Sequence, residues 1–360
     1  AGDQIILVDY ARTWGTNAIT IDSNGLNFQG EDDTYIVDYD TSGQALNLVY
    51  SGATIGWTPS SDIVNALEPV APPTQKGIFA YGYDGSSAVS MSNLVNSSGV
   101  IASDVTGVGT NGYGMGAATY GGDKAIFAFG QTGLVAVSKS NLVSSSGVVS
   151  ADVTGVGTAR YSLAAAAYGT GTAIFAYGYT GGNVSMSNLV NSSGVVASDV
   201  SGVGTARRAL GAAGYGTDKA IFAYGISGSI VSMSNLVTNV GVIGSDVSGV
   251  GSARDGISAA GYGTDKAIFA YGKTASLTAV SNLVSSSGVI ASDVSGVGTG
   301  REALAATGYG GDKAIFAYGI AGSVTAISNL VSNSGVVAAN VTGVGTARQN
   351  LGAAGFSYAA

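Results

Sequence analysis

The sequence predicts an all-β fold: a small N-terminal β domain (residues 1–68), then six four-stranded β units (residues 77–360) closed into a ring by the C-terminal strand. Three observations predict it. The phrase Ile-Phe-Ala-Tyr-Gly recurs six times at steps of 47 or 48 residues, from Ile78, Ile126 (where Phe129 replaces Tyr), Ile174, Ile221, Ile268 and Ile315. Each copy divides into four short apolar runs between turn residues, and none has a helical period. The array also begins and ends out of phase with its own repeat, in a manner that a closed ring uses and an open stack does not.

The N-terminal segment differs in composition from everything after it. Residues 1–75 hold ten acids and one base, Arg12, whereas the remainder is nearly neutral within a chain of net charge −8. Both tryptophans, Trp14 and Trp57, lie here. Strand runs are expected at Gln4–Asp9, Ala18–Asp22, Tyr35–Tyr39 and Leu46–Tyr50, with turns at Ser23-Asn24-Gly25 and Thr41-Ser42-Gly43. The order Asp9-Tyr10, Asn17–Asp22, Asn24-Gly25, Gly30, Leu48–Tyr50 and Gly56-Trp57 resembles a small β-module of tailed-phage virion proteins. That resemblance implies a virion-surface location in a tail fibre, spike or head-surface fibre. It also implies attachment to other virion proteins through residues 1–68 and a homo-oligomer, a trimer by preference. The start at Ala1 reads as removal of an initiator Met, and no basic signal-peptide region follows it.

All four prolines fall between Pro59 and Pro73, so residues 69–76 read as a stiff, extended linker.

In the fourth copy the four expected strands are Leu210–Tyr215, Ala220–Tyr224, Ile230–Val237 and Val242–Val247. Four strands per unit of this length is the size of a propeller blade. Blades stacked face to face bury both sides of their inner strands, which explains apolar runs that do not alternate with charge. A β-solenoid is the rival reading. The ends decide between them: the first copy opens on its second strand at Gly77-Ile78, and the chain ends with a surplus first strand, Gln349–Phe356. A six-bladed ring whose first blade is completed by residues 350–358 uses both anomalies. With an Arg before the first strand (Arg160, Arg207, Arg254, Arg301, Arg348) and an aromatic-Gly ending the second, residues 77–360 resemble the kelch-type propellers. The usual Gly-Gly and the later Trp of that family are missing.

Composition narrows the chemistry. The chain has no Cys and no His, which excludes disulfides, thiolate and imidazole metal sites, and Ser–His or Cys–His nucleophiles. Catalysis would rest on carboxylates alone, yet no paired acids recur in the repeats and no sialidase-type Asp box is present, so no enzyme and no cofactor or metal is expected. Negative net charge argues against nucleic acid. Mean hydropathy of +0.33 and the uncharged stretch 161–198 could suggest a membrane, but Gly and Ser/Thr turns at the repeat period argue against insertion.

The recurring polar residues have structural readings beside functional ones. The arginines could ring a ligand, or each could bond carbonyls and stack on a Tyr; Asn111-Gly112 interrupts the series. Asp104, Asp152, Asp199, Asp246 and Asp293, with Asn340 in the last copy, could hold metal or cap their own turns. Positions that diverge between copies are more informative. In an up-and-down blade the turn after Tyr-Gly and the residues after Arg emerge on one side. Tyr83, Asp84, Gln131, Tyr161, Tyr179, Arg208, Asp255, Lys273 and Glu302 are therefore the candidate ligand contacts. A host-surface glycan or receptor is the expected ligand of a virion adhesin; the alternative is a secreted or cell-surface lectin-like propeller.

Overall fold

The computed structural model describes residues 2–32, 37–63 and 74–358. Among these residues every regular element is a β-strand. The chain separates into two compact units, Ala1–Ala71 and Pro72–Ala360. The expected linker falls largely on residues 69–73, outside the described residues.

In the N-terminal unit Gln4–Val8 and Trp57–Ile63 flank Ala45–Tyr50 in an antiparallel sheet, and Ile19–Ile21 pairs with Val37–Tyr39. Phe28, Tyr39, Leu46 and Leu48 form its core, with Trp14 and Trp57 packed against them. The strand at Trp57–Ile63 is absent from the sequence reading because Pro59 argues against a strand. Pro59 lies on a sheet edge opposite Leu48, beside a register shift, where a missing N–H costs no ladder bond. Asp9 organises the turn that follows it. Its buried carboxylate accepts the N–H groups of Thr13, Trp14 and Gly43 at 2.9, 3.0 and 2.9 Å. Desolvation opposes ionisation there, but these bonds hold the carboxyl below its usual range.

Among its described residues the repeat unit contains six three-stranded antiparallel sheets. Sheets two to six run in chain order, with first strands Gly116–Tyr120, Ala164–Tyr168, Gly211–Tyr215, Ser258–Tyr262 and Ala305–Tyr309. Sheet one takes Lys76–Ala80 and Ser92–Val95 from the start of the array and Gly352–Phe356 from its end. Second strands such as Lys219–Ala223 are buried on both faces after their first residue, which is why they carry Ala-Ile-Phe-Ala without alternation.

The expected four-stranded unit needs correction. In sheet four Val242–Val247 is not a continuous strand; it touches Ser234–Val237 only at the bridges Val237↔Ile243 and Ser234↔Val247. Those two bridges differ by one residue in register. In the gap the Asn235 side-chain amide donates to the Gly244 carbonyl at 3.0 Å and to Asp246 at 2.9 Å. A side chain thus takes over bonds that a ladder would have made. The same Asn, carbonyl and Asp or Asn group recurs in every sheet.

A set of six backbone hydrogen bonds links the sheets to one another. The N–H groups of Gly114, Ser162, Ala209, Gly256, Ala303 and Asn350 donate respectively to the carbonyls of Asn350, Gly114, Ser162, Ala209, Gly256 and Ala303, at 2.7–3.0 Å. The series returns to its starting residue. All six residues have left-handed backbone, with φ between 53° and 65°. First strands contact each other in the same order, and Gly352–Phe356 contacts Gly116–Tyr120.

Candidate functional site

Each second strand is followed by an aromatic residue with φ of 64–67° and then by Gly. Left-handed backbone costs an L-residue roughly 1–2 kcal/mol. The aromatic residue recovers it through packing. Tyr224 is fully buried, its hydroxyl donates to the Val250 carbonyl at 3.2 Å, and its ring meets Phe269 of the next sheet at 5.4 Å. The following residue, Gly225, has φ of 102°, and a Cβ there would lie 2.6 Å from the Arg208 carbonyl. The kink turns the chain so that the next residue faces the one after the repeat Arg. Six reciprocal backbone pairs result: Tyr83/Gln349, Tyr113/Gln131, Tyr161/Tyr179, Arg208/Ile226, Asp255/Lys273 and Glu302/Ile320. These are the divergent positions, and all lie at the same end of their sheets.

The arginines beneath this rim are structural. Arg160, Arg207, Arg254, Arg301 and Arg348 are 0 % exposed. Arg207 donates to the carbonyls of Tyr224, Thr205 and Phe222 and to Asn235 Oδ1, while its guanidinium lies 4.2 Å from the centre of the Tyr177 ring. It bonds its own sheet and stacks on the preceding one. The nearest carboxylate oxygen, on Asp246, is 4.0 Å away, so carbonyls and the ring carry most of the compensation. For Arg160 desolvation outweighs the attraction of Asp199 and brings the guanidinium down to about 10.

The repeated acids are not local turn caps, contrary to the sequence reading. Asp246 accepts from the Thr205 N–H and hydroxyl, 41 residues earlier, and from Asn235. It fastens the outer run to the approach of the first strand. Asn340 does the same with Thr299, donating where the Asp would accept. These carboxylates are committed, and among the described residues no cluster of three potential metal ligands exists.

Sheet two has Gly112 in place of the Arg, and Lys139 fills the role. Its ammonium donates to the Thr110 carbonyl at 2.5 Å and to Asp152 at 3.1 Å and sits 5.9 Å from the centre of the Tyr81 ring. Those partners correspond to Thr158, Asp199 and Phe129 around Arg160. Elsewhere the Lys139 position is Met91, Met186, Met233, Val280 or Ile327, so the lone Lys beside the lone missing Arg was a readable signal.

On the rim the structure brings the candidate residues into two groups. Tyr161 and Tyr179 pair at 5.5 Å, and Tyr83 pairs with Tyr113 of the next sheet at 5.5 Å. Arg208 lies over Tyr179, 4.6 Å from the ring centre, and donates to Asn183 at 3.1 Å. Asp255 stands opposite Lys273, and Lys273 approaches Glu302 at 3.6 Å. Desolvation raises the Asp255 carboxyl above its usual range against the pull of Lys273 and Arg208. Two candidates are reassigned. Asp84 spends its carboxylate on the N–H groups of Ser86 and Ser87 in its own turn. Gln131 is 8 % exposed and donates to the Tyr113 hydroxyl and the Gly133 carbonyl, so it positions a neighbour instead of facing solvent. Tyr113 escaped the sequence reading because that copy lacks the Arg used as landmark.

No protein-family model matches this chain, and no curated protein matches it. Among the described residues no helix is long and apolar enough to cross a membrane.

Proposed function

We propose that the repeat unit is a closed six-bladed propeller of kelch-like design, and that the protein is a non-enzymatic virion-surface component that displays it for adhesion. The observation that carries the reading is the rim. Twelve positions that diverge between copies are held in six reciprocal pairs on a backbone that barely varies. A rigid frame with variable side chains at one end is the arrangement expected of a recognition surface. Ring closure is supported by the pairing of Gly352–Phe356 with Lys76–Ala80 and by the returning series of hydrogen bonds.

The acidic N-terminal unit is assigned to attachment, on its resemblance to phage virion modules. The proposal is tested by locating the chain in purified particles by cryo-electron microscopy and mass spectrometry. A chain lacking residues 1–68 is expected to be missing from particles, and sedimentation of the full chain is expected to give a trimer. A secreted monomer never found on particles overturns the virion assignment. The four tyrosines of the rim favour a second reading, a secreted or cell-surface lectin-like propeller, and that outcome would support it.

A further inference from the structure

We infer that the ligand site on this rim is its tyrosine arc, and that it takes a neutral saccharide. The inference rests on the reading of the rim as a binding face and divides that face in two. One half is Arg208, Asp255, Lys273 and Glu302, in alternating charge. Arg208 is held by Asn183 and the Tyr179 ring, Lys273 stands between Asp255 and Glu302, and Asp255 is flanked by both cations. Each charge already has an opposite or polar partner, so an anionic ligand would have to compete with Glu302 for Lys273 and with Asn183 and the Tyr179 ring for Arg208. This half is compensated from within.

The other half is built on tyrosines, and the charged side chain that reaches it is Arg208, over one face of Tyr179. Tyr83, Tyr113, Tyr161 and Tyr179 are partly exposed and form two ring pairs on sheets one to three, and the backbone of Gly114, next to Tyr113, lies beside Tyr161. Tyr113 is fixed through its hydroxyl by Gln131 and the Gly133 carbonyl, while the hydroxyls of Tyr83, Tyr161 and Tyr179 make no hydrogen bond among the described residues. Leu134, 95 % exposed, caps the loop to which Tyr113 is tied. Pre-positioned aromatic faces with spare hydroxyls at their edges suit a ligand with apolar C–H faces and a rim of hydroxyls. A neutral saccharide has both.

The test uses the full chain on an array of neutral and anionic oligosaccharides, followed by calorimetric titration of the bound ones. Neutral glycans are expected to bind, with affinity flat between about 50 and 500 mM salt. Tyr161→Ala and Tyr179→Ala should each weaken binding by about tenfold or more. Tyr179→Phe, which keeps the ring, should retain most of it, and Lys273→Ala/Glu302→Ala should leave it unchanged. Binding confined to anionic glycans and abolished by Lys273→Ala overturns the assignment to the tyrosines but leaves the rim as the binding face. Neutral-glycan binding indifferent to every rim variant overturns both. Absence of neutral-glycan binding, with rim variants still reducing adsorption of particles to cells, overturns the saccharide alone.

Discussion

In five sheets the buried cation arrives with the approach to the first strand, as an Arg; in sheet two it arrives from the run before the third strand, as Lys139. The two cations come from different places in the sequence and end on equivalent partners: a Thr or Ser carbonyl, the aromatic ring of the preceding sheet and, except at Arg301, the repeat Asp. What the architecture requires is therefore a positive charge at one point in space, and not a particular residue at one position in the repeat. The two solutions are not equal. The Arg fork reaches up to four acceptors and is fully buried, while the Lys makes two bonds and its side chain is 14 % exposed.

The largest break of this comparison takes one strand from an Arg-type sheet. Deleting residues 349–360 takes from sheet one its first strand, with buried Leu351, Ala354 and Phe356. The loss should exceed the ~3–5 kcal/mol expected for truncating one buried Phe, seen as a large fall in Tm by calorimetry. An unchanged melt would sink ring closure. Next, Arg254→Met should cost about 3 kcal/mol in denaturant unfolding, because buried carbonyls lose a charged donor. Lys139→Met should cost less, about 1–2 kcal/mol. The pair sharpens to a cycle: Gly112→Arg should recover much of the stability lost in Lys139→Met, since Gly112 does not need positive φ and a Cβ there meets only the flexible Met115 tip and the Gln131 carbonyl, at 3.1–3.2 Å. No recovery would mean that Lys139 is not the Arg substitute.

A smaller effect lies in pH. Burial opposes ionisation of Asp152, but hydrogen bonds from Thr110, Asn141 and Lys139 outweigh it and hold the carboxyl at about 2. A depressed carboxyl stabilises the fold above its unfolded pKa, about 3.9. That contribution disappears as pH falls from there through about 2. Acid unfolding should therefore steepen over that window and be blunted in Asp152→Asn. The smallest expected effect is at the opposite end of the sheets, where Lys219 pairs with Asp218 at 2.7 Å in an exposed turn. Lys219→Ala should leave the melting temperature essentially unchanged, because solvent screens the pair.

Repeat spacing, strand order and the pairing of the last strand with the first were legible because the copies supply their own alignment, and a period of 47 residues leaves few registers open. The one-residue slip at Gly244–Asp246 was not, since it depends on Asn235 competing for backbone carbonyls, and nothing in the local pattern announces that. The long reach of Asp246 was hidden for the same reason: Asp-Val-Ser-Gly reads as a turn, and its partner lies 41 residues away. On the rim, position was readable from divergence between copies, but occupancy was not. Asp84 and Gln131 diverge as freely as Tyr179, and only their hydrogen bonds show that they are spent internally.

The series of six hydrogen bonds from Gly114 to Asn350 also bears on how such a gene changes. Tandem copies ordinarily gain or lose a unit by unequal recombination, and an open array tolerates the change by growing or shrinking at one end. Here each member supplies one donor to a neighbour and takes one from the other, with none to spare. If the sheets close into the ring proposed above, a seventh copy would have to be admitted at two junctions at once, with every angle between sheets reset. In the proposed ring copy number would be fixed, which leaves side chains at the rim as the place for variation.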